Sequence, residues 1–241
     1  MKPKRGILTT MVWNSRRRLA LLSAASLLIM ACESIPSAYF GAASDGIPPE
    51  EPEQVIDADG VQGKIVSSAL YAVDSQSVRV GSKRFNYDCS GTILSIYYRA
   101  GIDLTPEFNQ GQGNGVARLY QIGERNQILY DTPVPQPGDI VFWDNTYDRN
   151  GDGKFNDLLT HAGIVVSSSP DGTIEYVHHN YSRGIVVERM NLYDPDAYQD
   201  SGGRLVNSPM RMSSHRHIGP DLWLAGQLYR VFGMHYRLAS S

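Results

Sequence analysis

Cysteine is nearly absent from this chain, with two residues, Cys32 and Cys89, in 241. At most one disulfide can form, so the 41% of apolar residues, not a cross-linked framework, must supply the core of what reads as one domain plus appended sequence. Long hydrophobic runs are missing as well. The apolar run from Leu19 to Ala31 has only 13 residues, too short to cross a bilayer comfortably. Acidic side chains are lacking from the first 18 residues, which carry six basic ones, Lys2, Lys4, Arg5, Arg16, Arg17 and Arg18. Positive charge followed by a short apolar run reads as a signal peptide over residues 1–31. No internal repeat is visible, which argues against a solenoid.

The run closes on Ile29-Met30-Ala31-Cys32, which resembles a bacterial lipobox, so Cys32 is the expected lipidation site and the first residue of the mature chain. Glu33 after it, where Asp would retain the protein at the inner membrane, resembles the sorting signal for an outer membrane, facing the periplasm. Loss of the six leader cations from 22 leaves 16 against 25 acids, a mature net charge near −9. Such a balance argues against nucleic acid or anionic headgroups as partners, since both would repel it. Membrane association is therefore expected through the lipid alone. Residues 32–60, with Pro48-Pro49-Glu50-Glu51-Pro52-Glu53 at their centre, read as a flexible tether.

Periodicity then divides residues 61–241. Val61, Ile65, Ala69 and Val73 form a helical apolar stripe; Ser90 to Ala100 is a second helix stopped by Gly101, and Asn114 to about Gly123 a third. Strand patterns follow at Asp139–Trp143, Ala162–Ser167, Thr173–His178 and Gly184–Glu188, with turns at Pro137-Gly138 and Pro170-Asp171-Gly172. Residues 191–220 have little periodicity, and Asp221 to about Tyr236 reads as a closing helix. Helices first and strands second predict an α+β fold, N-terminal helices packed on an antiparallel sheet.

If lipid consumes Cys32, Cys89 is a lone thiol in an exported protein. Its place ahead of the second helix exposes it to the positive end of the helix dipole and to unpaired amides, which favour the thiolate and can receive an oxyanion. A thiolate nucleophile needs a base and a group that orients the base. A hairpin about Pro170-Asp171-Gly172 sets His161 opposite residues 178–180, so His178, His179 or Asn180 could orient it. The remaining histidines, His215, His217 and His235, read as solvated side chains rather than a metal site, having no acidic or cysteine partner beside them.

Asp88-Cys89-Ser90-Gly91, Pro137-Gly138-Asp139-Ile140-Val141-Phe142, His161-Ala162-Gly163-Ile164-Val165 and Tyr176-Val177-His178 resemble, in order, the signature blocks of the NlpC family of papain-like cysteine peptidases. The resemblance implies a papain-like fold with Cys89 as nucleophile, His161 as base and His178 as the orienting residue. It also implies peptidoglycan stem peptides as substrate, cut at the bond from D-Glu to the diamino acid through a thioester, with no cofactor required. The rivals are an amidase or acyltransferase with the same Cys and His set, and a non-catalytic wall-binding lipoprotein. Two features depart from the family: Ser77 to Gly81 holds no Tyr, so Tyr71 or Tyr87 would have to serve, and the stretch between Trp143 and His161 is long. That stretch contains Asp148, Asn150, Asp152, Lys154 and Asn156 at the spacing of an EF-hand calcium loop, with Lys154 contributing its carbonyl, so a structural calcium is a candidate. Leu159 stands where the bidentate carboxylate belongs, unless Asp144 or Asp157 replaces it.

Overall fold

In a computed structural model of the protein the described residues are 57 and 59–239; the leader, Cys32 and all but the end of the expected tether lie outside them. Helix α1 (Val61–Ala72) buries Ile65 and Ala69 as its stripe requires. A two-residue ladder, β1 (Arg79–Val80) with β2 (Lys83–Arg84), leads into α2 (Cys89–Arg99). The carboxylate of Asp88 caps α2, accepting from the Gly91 N–H at 2.7 Å and the Ser90 hydroxyl at 2.8 Å. Gly91 is required by close approach, since a Cβ there would sit 2.1 Å from the Asn86 carbonyl oxygen. Residues Ser90 to Tyr97 of α2 are all buried, which makes it the central helix.

Two further helices follow, α3 (Thr105–Gln110), which the periodicity did not indicate, and α4 (Gly115–Arg125). Asn114 caps α4 by accepting from Ala117 N–H at 2.7 Å, and its amide donates to the Leu159 carbonyl at 3.1 Å. One side chain thus ties the helical layer to the chain just ahead of His161.

The main sheet has strand order β3-β8-β4-β5-β6-β7, antiparallel throughout: β3 (Leu129–Tyr130), β4 (Ile140–Trp143), β5 (His161–Ser168), β6 (Thr173–Asn180), β7 (Gly184–Asn191) and β8 (Tyr229–Gly233). Strand β4 is buried on both faces. Ile140 and Phe142 join the core under the helices, whereas Val141 and Trp143 pack against Ala225, Leu228 and Phe232 on the opposite face. The α+β expectation holds, with β4 reading as an unbroken apolar run because the C-terminal segment covers its second face.

The closing helix expected from Asp221 to Tyr236 does not form. Turns carry residues 221–228, then β8 inserts between β3 and β4, and a 3₁₀ turn covers His235–Leu238. Val231 and Phe232, adjacent in sequence, pack into the two different cores, a period of two that a helix cannot supply. Tyr229 to Phe232 is also aromatic and β-branched, and two strands were waiting to pair with it.

Candidate active site

Cys89 is the first residue of α2 and a free thiol, half-buried at the base of an open cavity of about 1590 Å³. Burial, followed by the charge of Asp88, pushes its pKa up to about 12, against backbone hydrogen bonds from Ala162, Ser90 and Cys89 itself. The helix terminus therefore does not lower the resting thiol as the dipole argument expects. Removal from water disfavours the charged form most, and the carboxylate of Asp88 that caps the helix adds to it.

His161 opens β5, and the backbone of its neighbour Ala162 is one of the three that lower the thiol pKa. The register pairs Gly163 with His178, so His161 and His178 meet on the diagonal of the β5–β6 ladder. His161 Nε2 lies 2.7 Å from His178 Nδ1, with the rings nearly perpendicular at 88°. Burial, with His178 and His179 adding to it, holds His161 well below the ordinary imidazole value. His178 is only 3% exposed, and burial, aided by Arg183, lowers it to about 3. Both rings are neutral at rest. His179 points to the other face of β6, edge-on to Tyr87 at 4.5 Å between centroids. Of the two histidines, His178 is the one set against His161.

Three neighbours were not apparent in the sequence. Glu188 in β7 is buried, with Oε2 3.1 Å from His178 Nε2 on an oblique approach that falls short of a linear hydrogen bond. Its position opposite Tyr176 becomes visible only once the β6–β7 register is known. Tyr147, from the long β4–β5 connection, lines the cavity and is raised in pKa by burial and then by the charge of Cys89. By contrast Tyr71 is 67% exposed under Arg99, and the Tyr87 hydroxyl donates to the Ser75 carbonyl at 2.8 Å. The third is Arg211, buried to 3% exposure, which donates to the carbonyls of His215 (3.0 Å), Ile218 (3.2 Å) and Asn145. It pins the far wall of the cavity to the β4–β5 connection.

The calcium-like residues lie on an exposed part of that connection. Asp148 accepts from the N–H groups of Gly151 and Gly153, Asn150 from Asp152, and Asp152 from Lys154 and the Asn156 amide. Neither substitute for the twelfth ligand points freely at them: Asp144 pairs with Arg230 at 2.8 Å, and Asp157 is buried facing Arg149 at 3.9 Å. Among the described residues no group of three or more His, Cys, Asp or Glu could hold a metal ion. His235 is not the solvated side chain its sequence context suggests. It is fully buried between Tyr97 and Phe142, with Nε2 3.0 Å from the Leu119 carbonyl, because the last 3₁₀ turn tucks under α4.

No curated protein matches the chain. Among solved structures it is similar to a protein of Staphylococcus aureus subsp. aureus Mu50 described as similar to lipoprotein, NLP/P60 family. The identity is 22% and the TM-score 0.31, over 57% of this chain and 39% of that one, so this chain spans well under half of that protein. The model of the NlpC/P60 family matches residues 76–200, from the turn before β1 to just past β7, which takes in Cys89, His161, His178 and Glu188. That match covers more than half of the sequence, and the chain belongs to the NlpC/P60 family, whose members are typically cell-wall peptidases.

Proposed function

We propose that the protein is a cysteine endopeptidase of peptidoglycan stem peptides, with Cys89 as nucleophile, His161 as base and His178 as the residue that orients the base. The observation that carries this reading is the 2.7 Å contact between His161 and His178 beside a thiol at a helix N-terminus, in an open cavity. With both partners neutral at rest, the thiol is activated as it attacks: its proton passes to His161 while sulfur bonds to the scissile carbonyl carbon. Backbone N–H groups at the start of α2 receive the oxyanion. The imidazolium returns the proton to the departing amine, leaving a thioester, and water deprotonated by the same imidazole then releases the acid and restores the thiol. The bond from D-Glu to the diamino acid is the expected target. Export and anchoring through lipidated Cys32, at an outer membrane facing the periplasm, complete the proposal; recovery of the wild-type chain in a soluble fraction would sink that part.

Digestion of isolated sacculi with the full chain, followed by mass spectrometry of the muropeptides, tests the reaction. Cleavage within the stem, lost in Cys89→Ala, is expected. A cut at the sugar–peptide amide makes the protein an amidase, acyl transfer products make it an acyltransferase, and retention on sacculi without products makes it a wall-binding protein. Undiminished cleavage by Cys89→Ala overturns the mechanism altogether.

A further inference from the structure

Glu188 is a carboxylate placed where the ladder would otherwise put an apolar side chain. It shares its face of β7 with buried Met190, and its side chain is 3% exposed. Four polar groups surround it. His178 Nε2 lies 3.1 Å and the Tyr176 hydroxyl 3.4 Å from Oε2; the Asn180 amide lies 3.3 Å from Oε1, which Arg183 also engages. Three of these can only donate to it or can readily do so, and the fourth is an imidazole whose hydrogen can sit on either ring nitrogen.

An ionised carboxylate accepts hydrogen bonds and never donates them, and a neutral imidazole carries one N–H. The nitrogen of His178 that faces Glu188 must therefore hold the hydrogen, which leaves His178 Nδ1 as a bare acceptor. His161 Nε2, 2.7 Å away, must then be the donor in that contact. With its hydrogen on Nε2, the lone pair of His161 is on Nδ1. We infer that Glu188 is a positioning residue for the catalytic pair: acting through His178, it fixes the tautomer of His161 so that Nδ1 is the basic nitrogen offered to the Cys89 thiol.

Without the carboxylate the two-ring chain has a second arrangement of similar energy. His178 would hold its hydrogen on Nδ1, His161 would accept at Nε2, and His161 Nδ1 would carry an N–H that cannot take a proton. The oblique approach of Glu188 does not weaken the selection, because the opposite tautomer would bring a lone pair against a buried negative charge. Once His161 has taken the thiol proton, the same charge lies one ring away from the imidazolium and favours it. This inference rests on the roles proposed above for Cys89, His161 and His178, but the tautomer it assigns can be observed without any catalysis.

The test is ¹⁵N NMR of the imidazoles in the full-length protein, with Cys89 alkylation by iodoacetamide followed against pH. In the wild type both His161 and His178 should show Nε2 protonated and Nδ1 bare. Glu188→Gln, whose amide can donate as well as accept, should show mixed or reversed tautomers in both rings. It should also lose about tenfold in alkylation rate at neutral pH and about tenfold in kcat at nearly unchanged KM, and Glu188→Asp should recover part of each. Wild-type His178 protonated on Nδ1 would overturn the inference whether or not any variant folds, as would unchanged tautomers in a Glu188→Gln protein that melts cooperatively. Assigned tautomers as stated, together with cleavage that survives Cys89→Ala, would instead reject the proposed mechanism and leave the positioning in place.

Discussion

The two walls of the cavity are built by different means. One wall carries Cys89, His161, His178 and Glu188 on a helix terminus and three consecutive strands, where backbone hydrogen bonds fix each Cα and side chains follow by alternation. The other, which includes Pro209 to Arg216, comes from a segment with almost no regular structure, joined by isolated bridges Gln199 to Leu205 and Pro209 to Leu224. There the positioning is done by side chains bonded to backbone. Asn207, fully buried, accepts from the Asn191 N–H at 2.9 Å and donates to the carbonyls of Asp194 (2.8 Å) and Ala197 (2.9 Å), and Arg211 donates to three carbonyls further on. The groups proposed to react thus sit on the stiff wall, and the wall that faces them depends on a few polar side chains.

If this division is right, substitutions on the two walls should separate activity from stability. The largest effect is expected of Cys89→Ala, with a loss of stem-peptide cleavage of 10³-fold or more, on the order of 4 kcal/mol in barrier, and a melting temperature shifted little. Asn207→Ala should do the reverse. Removing one amide leaves the Asn191 N–H and the Ala197 carbonyl without their partners and the Asp194 carbonyl with the Ala197 N–H alone, so urea unfolding should show a loss of about 3 kcal/mol. A stable Asn207→Ala protein, or an unfolded Cys89→Ala one, would break the comparison.

A somewhat smaller effect is expected at Asp139, a residue at the head of β4 whose surroundings are supplied partly by the chain's end. Burial raises it from 3.8 to about 6, against hydrogen bonds from Tyr130 and Gln136 and the charge of Arg237. A folded pKa above the unfolded one means a contribution fully present below about pH 4 and lost as pH rises through about 6. The non-titrating Asp139→Asn variant lacks that loss. Its stability relative to the wild type should therefore rise between pH 4 and pH 7, by up to about 3 kcal/mol. A difference independent of pH would show that the carboxyl is not desolvated in solution.

The smallest effect belongs to the exposed loop 148–156. If its oxygens hold calcium, the short ligand set makes the affinity low, and calcium at tenfold its Kd should stabilise by only about 1.4 kcal/mol, a rise of a few degrees. Asp152→Ala should abolish the rise. Identical melts with millimolar calcium and with chelator would make the loop a plain turn.

Much of the stiff wall was legible in the sequence because its signals are local. The stripe of α1, the helix start beside Cys89, and the Pro170-Asp171-Gly172 turn each need only a few neighbouring residues. From that turn counting brings His161 only to the neighbourhood of residues 178–180, and the bulge between Val165 and Ser167 then sets His178 on its diagonal. The C-terminal end misled for the opposite reason. Trp223, Leu224, Leu228 and Val231 do fall at helical spacing, and only the vacant place between β3 and β4 makes Tyr229 to Phe232 a strand.

By itself, then, the sequence determined the α+β class, the helix that presents Cys89, and the short list of imidazoles able to reach His161, because periodicity, capping and turn chemistry act over a few residues. The tertiary structure alone decided that His178 and not His179 meets His161, that Glu188 lies behind it, and that burial and Asp88 raise the thiol against the backbone groups around it. Those are consequences of register and desolvation, which depend on what the fold brings alongside a residue and not on the residues beside it in the chain.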